Sequence, residues 1–376
     1  MIRLFLAYPN ILSFYPIYVI IIPNTYYFFV LQKLKKLFGR TTVAADTVRS
    51  SAQTEVQEEK MAPPDPEIEQ IEAEMRTRFL GCMIGLAIGD AKGMPAESKS
   101  VEYGEYVANT FDYLRGYLPA GHFTDDTHHA TFLAESLLEM KNFDAKDFLD
   151  KLSHMDMNRG YGPTTLQAIL RYVGGMPAGE AGLESPGNGP SMRIAPLALL
   201  YHFDTDLMRK FVKESANTTH TMPEAIGGAL AVSFSVAYML NHYGEKLDKA
   251  KFLKELIDFV RPESPELADA LKDDADLMER QGCRVLESVP HAIKAFLSDP
   301  YDFEKAVSQA IRGGGDADTI AAIVGAISGA FNGLDKIPQQ WIERLENSPK
   351  GRDYLRKIAL ELYELSKQKK NSGSSN

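Results

Sequence analysis

Two short stretches far apart in the chain carry the same kind of chemistry. Thr124, Asp125 and Asp126 stand in GHFTDDTHHATFLAESLLE, and Asp316, Asp318 and Thr319 stand in RGGGDADTIAAIVGAISGAF. Each places carboxylates and a hydroxyl at the entrance of a segment with helical apolar spacing, where acidic groups complement the positive end of the helix dipole. A helix cap needs one Asp or Thr, so two aspartates and a threonine exceed that need. Hard oxygen donors of this kind suit Mg²⁺ or Mn²⁺ better than zinc, which prefers His and Cys. His122, His128 and His129 invite a zinc reading, but no three of them share a helix face with a carboxylate at a zinc spacing. They read as packing or supporting histidines.

Further segments bear on the same chemistry. GCMIGLAIGDAKGMPAES spaces Gly81, Gly85 and Gly89 four apart, which on a helix favours close backbone approach, and then leaves Glu97 on a Gly/Pro-bounded loop. Glu97 is harder to explain as structure. Arg159-Gly160-Tyr161-Gly162 and the run SPGNGPSMR from Ser185 to Arg193, with Gly187 and Asn188, are loops leading into helices. Such loops offer backbone N–H groups to an anion such as a pyrophosphate. An Asp-x-Asp-Thr phosphatase nucleophile would need a buried strand before it, and Gln309 to Gly313 is no strand. Read alone, RGGGDADT stays open between helix cap, anion cradle and metal ligand.

The elements that must position these residues are helical. Apolar residues recur at helical spacing over roughly 66–89, 127–141, 145–154, 163–173, 192–203, 205–215, 223–242, 248–260, 265–278, 302–311, 317–332 and 351–367. Alternating strand-like runs are almost absent, so one all-α domain is expected over 66–368, with 369–376 as a disordered tail. Segments 223–242 and 317–332 are apolar or small almost all round and belong in the core. At 376 residues, with 44% hydrophobic and 24% charged residues, the composition is that of a globular protein. A net charge of −10 without a Lys/Arg stripe excludes a nucleic-acid backbone as partner. Two cysteines, Cys82 and Cys283, make no disulfide framework and point to a reducing, cytoplasmic compartment. Leu4 to Gln32 lacks charge and is followed by Lys33, Lys35, Lys36 and Arg40. Residues 1–40 therefore read either as a membrane anchor with a cytoplasmic basic flank or as a start-site artefact ahead of Met61, and 41–65 as a polar linker.

In their order and spacing, GxxxGDAxGxPxE, FTDDT, RGYG, GNGxxMRIAPL, THTMPEA and GGDADTIAAIVGAISGA resemble the ADP-ribosylglycohydrolase family over residues 76–333. The resemblance implies a compact all-α orthogonal helical bundle with a centre of two Mg²⁺ or Mn²⁺ ions. It implies Thr124, Asp125, Asp126, Asp316, Asp318 and Thr319 as metal ligands, with Glu97, Asp125 and Asp126 in catalytic roles. Gly160, Tyr161, Gly162, Ser185, Gly187 and Asn188 would hold the pyrophosphate and ribose, and His220 would line the ligand cleft. The implied reaction is hydrolysis of the glycosidic bond of an ADP-ribosylated protein side chain, serine- or arginine-linked, or of poly- or O-acetyl-ADP-ribose. The alternative is a non-catalytic ADP-ribose-binding or structural relative of the same fold. Two departures stand out: Lys92, expected to put a cation near the acidic site, and Met222, where many relatives carry a second histidine.

Overall fold

The computed structural model describes residues 66–272 and 282–373. The anchor and linker readings of residues 1–65 fall outside that range, as do residues 374–376. The first helix, α1 (Pro66–Gly93), starts on a proline, which is pre-set for the first helical position, with Glu67 and Glu69 against the dipole. It runs one turn beyond the expected end at residue 89, and from Gly81 to Gly93 every residue is buried.

The chain continues through α2 (Val101–Ala108), α3 (Asp125–Met140), α4 (Ala145–Leu152), α5 (Pro163–Val173), α6 (Gly189–Arg193), α7 (Ala195–Tyr201) and α8 (Thr205–Asn217). The second half holds α9 (Pro223–Asn241), α10 (Lys249–Val260), α11 (Pro265–Ala270), α12 (Val285–Ser298), α13 (Phe303–Ile311), α14 (Ala317–Asn332), α15 (Gln339–Arg344) and α16 (Arg352–Gly373). Local capping sets many of these starts: Asp144, Asp204, Asp248, Ser264 and Asp302 each accept a backbone N–H three residues ahead. Among the described residues no strand occurs, and the fold is all-α. Two isolated bridges join Leu183 with His220 and Gly187 with Arg284.

Helices α2, α12 and α15 have no counterpart among the segments expected from periodicity. Pro290 lies inside α12 and reads as a breaker, yet burial of Val285, Val289, Ile293 and Phe296 along one face holds the helix. Helices α2 and α15 bury few residues, Gly104, Val107 and Ala108 in the first and Trp341 and Ile342 in the second, and so show little apolar period. The last helix, α16, runs five residues into the segment expected to be a disordered tail, with Lys370 in its final turn against the negative dipole end.

The core is organised around α1 and α14, which run antiparallel in backbone contact. A Cβ on Gly81 would lie 2.4 Å from the Gly329 carbonyl oxygen, one on Gly85 2.3 Å from that of Gly325, one on Gly89 1.9 Å from that of Ala321, and one on Gly93 2.3 Å from that of Ala317. The glycines spaced by four are therefore close-packing residues, as their spacing suggests. Helix α9 is long and apolar enough to cross a membrane by length and composition, but 83% of that stretch is buried inside the domain.

Candidate active site

The glycine ladder fixes where the acidic residues meet. Because α1 and α14 are antiparallel, the end of α1, with Asp90 and the Glu97 loop, lies beside the start of α14, with Asp316 and Asp318. Two hydrogen bonds stitch the loops together: Ser98 N–H donates to the Gly315 carbonyl at 2.6 Å, and Gly315 N–H to that of Lys99 at 3.3 Å. Gly314 and Gly315 both take positive φ, +67° and +61°, and a Cβ on Gly314 would lie 2.5 Å from the Lys99 carbonyl oxygen. Part of the triple glycine thus serves backbone shape. Ser98, directly after Glu97, also takes a positive φ of 57°, a strained conformation for a non-glycine residue.

The TDDT segment hangs on Asp90. The buried Asp90 carboxylate accepts from Thr124 N–H at 2.9 Å, Thr127 N–H at 3.0 Å and the Thr127 hydroxyl at 2.6 Å. It does the work of an N-terminal cap from another helix, which leaves Thr124, Asp125 and Asp126 free of capping duty. The Thr124 hydroxyl donates to Asp126 Oδ2 at 3.1 Å. Asp126 Oδ1 is buried without a hydrogen-bond partner.

The two loops share one electrostatic environment. Burial first, then the neighbouring carboxylates, holds Asp125, Asp126 and Asp318 well above the usual carboxylate range. Asp126 feels Asp316, and Asp318 feels Asp126 and Glu97. The Thr319 hydroxyl reaches both Asp126 and Asp316 and opposes the shift in each. Burial raises Asp316 to about 6, against the Asn188 amide, which donates to its Oδ2. Burial likewise raises Glu97, opposed by Asp318 and Lys99. Crowding several carboxylates in a poorly solvated space is unfavourable unless protons or cations compensate them. The donor set, carboxylates and hydroxyls with one orphaned carboxylate oxygen, fits a hard divalent cation. As the side chains stand the acids are gathered without closing on one point: among the described residues no three His, Cys, Asp or Glu groups converge at metal-holding geometry.

The loops expected to take a ligand border these acids. Gly160 takes φ +89°, and a Cβ there would meet the Tyr117 hydroxyl at 2.6 Å. Nothing lies within 4 Å of the Cβ direction at Gly162. Tyr161 is buried against His129, at 4.9 Å between ring centroids, and within electrostatic reach of Asp125. The Thr164 hydroxyl donates to Ser185 Oγ at 3.1 Å, joining the RGYG and SPGNG segments. Gly187 and Gly189 pack on the His220 ring. Asn188 ties its loop to Asp316 and, at 3.0 Å, to Ser288. All candidate residues from the sequence thus fall in one connected region.

The ADP-ribosylglycohydrolase family model matches residues 72–372. The chain belongs to the ADP-ribosylglycohydrolase family. It is 38% identical over 305 residues to an uncharacterised protein of Archaeoglobus fulgidus, covering 77% of this chain and 97% of that one. It is 28% identical over 352 residues to the ADP-ribosylhydrolase ARH3 of Gallus gallus, covering 77% and 93%. Among solved structures it is similar to an ADP-ribosylglycohydrolase-related protein complex, at TM-score 0.65 and 32% identity over 78% of this chain and 99% of the other. Membership makes the protein a hydrolase of the ADP-ribosylglycohydrolase type.

Within this family member, one expectation is corrected and three residues take on new roles. Lys92 does not put a cation beside the acids. Its Nζ donates to the carbonyls of Thr110 at 2.7 Å, Phe111 at 3.2 Å and Asp112 at 2.9 Å, and it lies 4.7 Å from the face of Trp341. It anchors the segment that leads toward TDDT, and burial lowers its pKa to about 8. Asp90 was legible as part of GDA but not as a remote cap. Tyr117, 51% exposed, lies within electrostatic reach of Glu97, Asp318, Asp90 and Asp125, with no motif to announce it. Glu346 is the third: it takes Arg159 at 2.7 and 3.2 Å and His122 at 2.7 Å, while Arg159 donates to the Phe123 carbonyl at 2.6 Å. His128 and His129 are neutral packing residues, driven down by burial.

Proposed function

We propose that the domain hydrolyses the glycosidic bond joining ADP-ribose to a protein side chain or to a small conjugate, with two Mg²⁺ or Mn²⁺ ions held by Thr124, Asp125, Asp126, Asp316, Asp318 and Thr319. The observation that carries this reading is the meeting of the two acidic loops: the Asp126 charge reaches Asp318 and the Asp316 charge reaches Asp126 across most of the domain's sequence, with Thr319 reaching both Asp126 and Asp316. When bound, such ions orient the ribose hydroxyls, polarise water and offset charge that develops as the anomeric bond breaks.

The chain's own residues do the rest. Glu97, on a loop pinned to Gly315, is poised beside Asp318 to give or take a proton at its carboxyl oxygens. The RGYG and SPGNG segments border the pyrophosphate, with Gly162 leaving open space for it, while the N–H groups of Gly187 and Asn188 are given to Ser185 Oγ and the Cys283 carbonyl. Tyr161 and His220 wall the cleft. The resemblance to ARH3 supports ADP-ribose conjugates as substrates.

A linkage panel tests the proposal. Purified protein with Mg²⁺ is given serine-linked, arginine-linked and polymeric ADP-ribose, and release of ADP-ribose is followed for the wild type and Asp316→Asn. Release that Asp316→Asn abolishes supports the reading. Tight ADP-ribose binding without release from any conjugate supports the non-catalytic alternative instead.

A further inference from the structure

Arg193 is fully buried, yet most of its guanidinium has no acidic partner in sight. Nη2 donates to the Ser215 carbonyl at 3.1 Å and to Thr219 Oγ1 at 2.8 Å, while Nε and Nη1 make no hydrogen bond among the described residues. The side chain lies 5.1 Å from the face of Phe148. Burying a charge this way is costly, and an apolar residue of similar volume would fill the space more cheaply. A specific task would account for it.

The neighbouring contacts supply one. Thr219 Oγ1 lies 2.9 Å from His220 Nδ1, and both residues are buried. The Nε2 edge of the ring faces the ligand loop: a Cβ on Gly187 would lie 3.2 Å from Nε2, and one on Gly189 3.3 Å from it. Among the described residues no hydrogen bond uses Nε2. We infer that Arg193 and Thr219 form a relay that fixes His220 as its Nε2–H tautomer, so that the ring presents a donor to an acceptor oxygen, phosphate or hydroxyl, of a ligand on the Gly187–Gly189 loop.

The hydrogen bookkeeping runs in one direction. Arg193 is a donor without acceptor capacity, so Thr219 Oγ1 accepts from it. The Thr219 hydroxyl proton, buried, then needs an acceptor of its own, and His220 Nδ1 is the one within reach. Nδ1 accepts, so the single proton of a neutral imidazole sits on Nε2. Burial, followed by the Arg193 charge, lowers His220 to about 3 and keeps the ring neutral. Arg193 and Thr219 are therefore positioning residues that act through His220. The inference rests on the reading that ADP-ribose occupies this loop.

The test uses the full chain with its histidines ¹⁵N-labelled and free ADP-ribose as the probe. Long-range ¹H–¹⁵N correlation spectra report which His220 nitrogen carries the proton, and calorimetry gives Kd for ADP-ribose. The wild type is expected to show protonated Nε2. Thr219→Val should bring in the Nδ1–H tautomer and weaken binding roughly tenfold, the loss of one hydrogen bond, while Thr219→Ser restores both. An Nδ1–H wild type overturns the relay, and so does a Thr219→Val protein with unchanged spectrum and Kd. The wild-type spectrum decides the tautomer even where Thr219→Val does not fold. A wild type that shows the Nε2–H spectrum but binds no ADP-ribose overturns the functional reading and the ligand half of the inference, while the spectrum still supports the relay.

Discussion

Gly85 and Gly325 meet backbone to backbone at the centre of the domain. A Cβ on Gly85 would lie 2.3 Å from the Gly325 carbonyl oxygen, and one on Gly325 2.0 Å from that of Gly85. This contact sets the separation of the two helices whose ends carry Glu97 on one side and Asp316 and Asp318 on the other. Gly85→Ala is expected to lower stability by about 1–3 kcal/mol, the cost of overpacking a filled core. Gly179→Ala, with nothing within 4 Å of the added methyl, should stay within about 0.5 kcal/mol of the wild type. Chemical denaturation of the three proteins checks this; a Gly85→Ala protein as stable as the wild type would refute the ladder.

Glu346 holds two approaches to the site at once, through Arg159 of RGYG and through His122 beside TDDT. The Glu346 side chain is 2% exposed, so its removal leaves the Arg159 guanidinium short of its buried partner. Glu346→Gln is expected to cost about 1.5–3 kcal/mol, the range for a hydrogen bond to a charged group. Because both loops then lose their common anchor, kcat/KM should fall roughly tenfold, about 1.4 kcal/mol of transition-state stabilisation. Steady-state kinetics on the folded variant decide it, and an unchanged kcat/KM would remove Glu346 from any role beyond stability.

Lys92 gives a pH signature. Its folded pKa, lowered by burial to about 8, lies below its usual 10.5. Between those values the unfolded chain binds the extra proton, so the contribution of this residue to stability rises as pH climbs from about 8 to 10.5 and is lowest below 8. Subtracting the stability of Lys92→Met at each pH removes the titration of other groups. The difference should move in favour of the wild type by on the order of 3 kcal/mol across that window. A flat difference would mean that Lys92 titrates normally.

The sequence carried the chemistry further than the architecture. TDDT and GGDADT were legible because two acids and a hydroxyl exceed what a helix start requires, and the glycines of α1 because their spacing is helical. That the two sets face each other came only from the family resemblance and not from the residues themselves, since it depends on α1 and α14 packing antiparallel, a relation between segments more than 220 residues apart. Asp90 escaped notice because it caps a helix other than its own, and Glu346 because its partners are remote in the chain. Lys92 was misjudged for a related reason. Its place beside GD suggested the acids as neighbours, whereas its long stem carries the charge to the carbonyls of residues 110–112. Helix α12 was missed because a proline inside a helix reads as a break, although burial of the face around it outweighs the lost hydrogen bond.

The central claim is that TDDT and GGDADT are halves of one divalent-cation centre, and calorimetric titration of the purified protein with Mn²⁺ tests it most directly. The account predicts that the wild type binds Mn²⁺, that its melting temperature rises with the ion, and that Asp126→Asn and Asp318→Asn each weaken binding by at least about tenfold. A wild type that takes up no Mn²⁺, or a pair of variants of which one binds as the wild type does while the other does not, would contradict it.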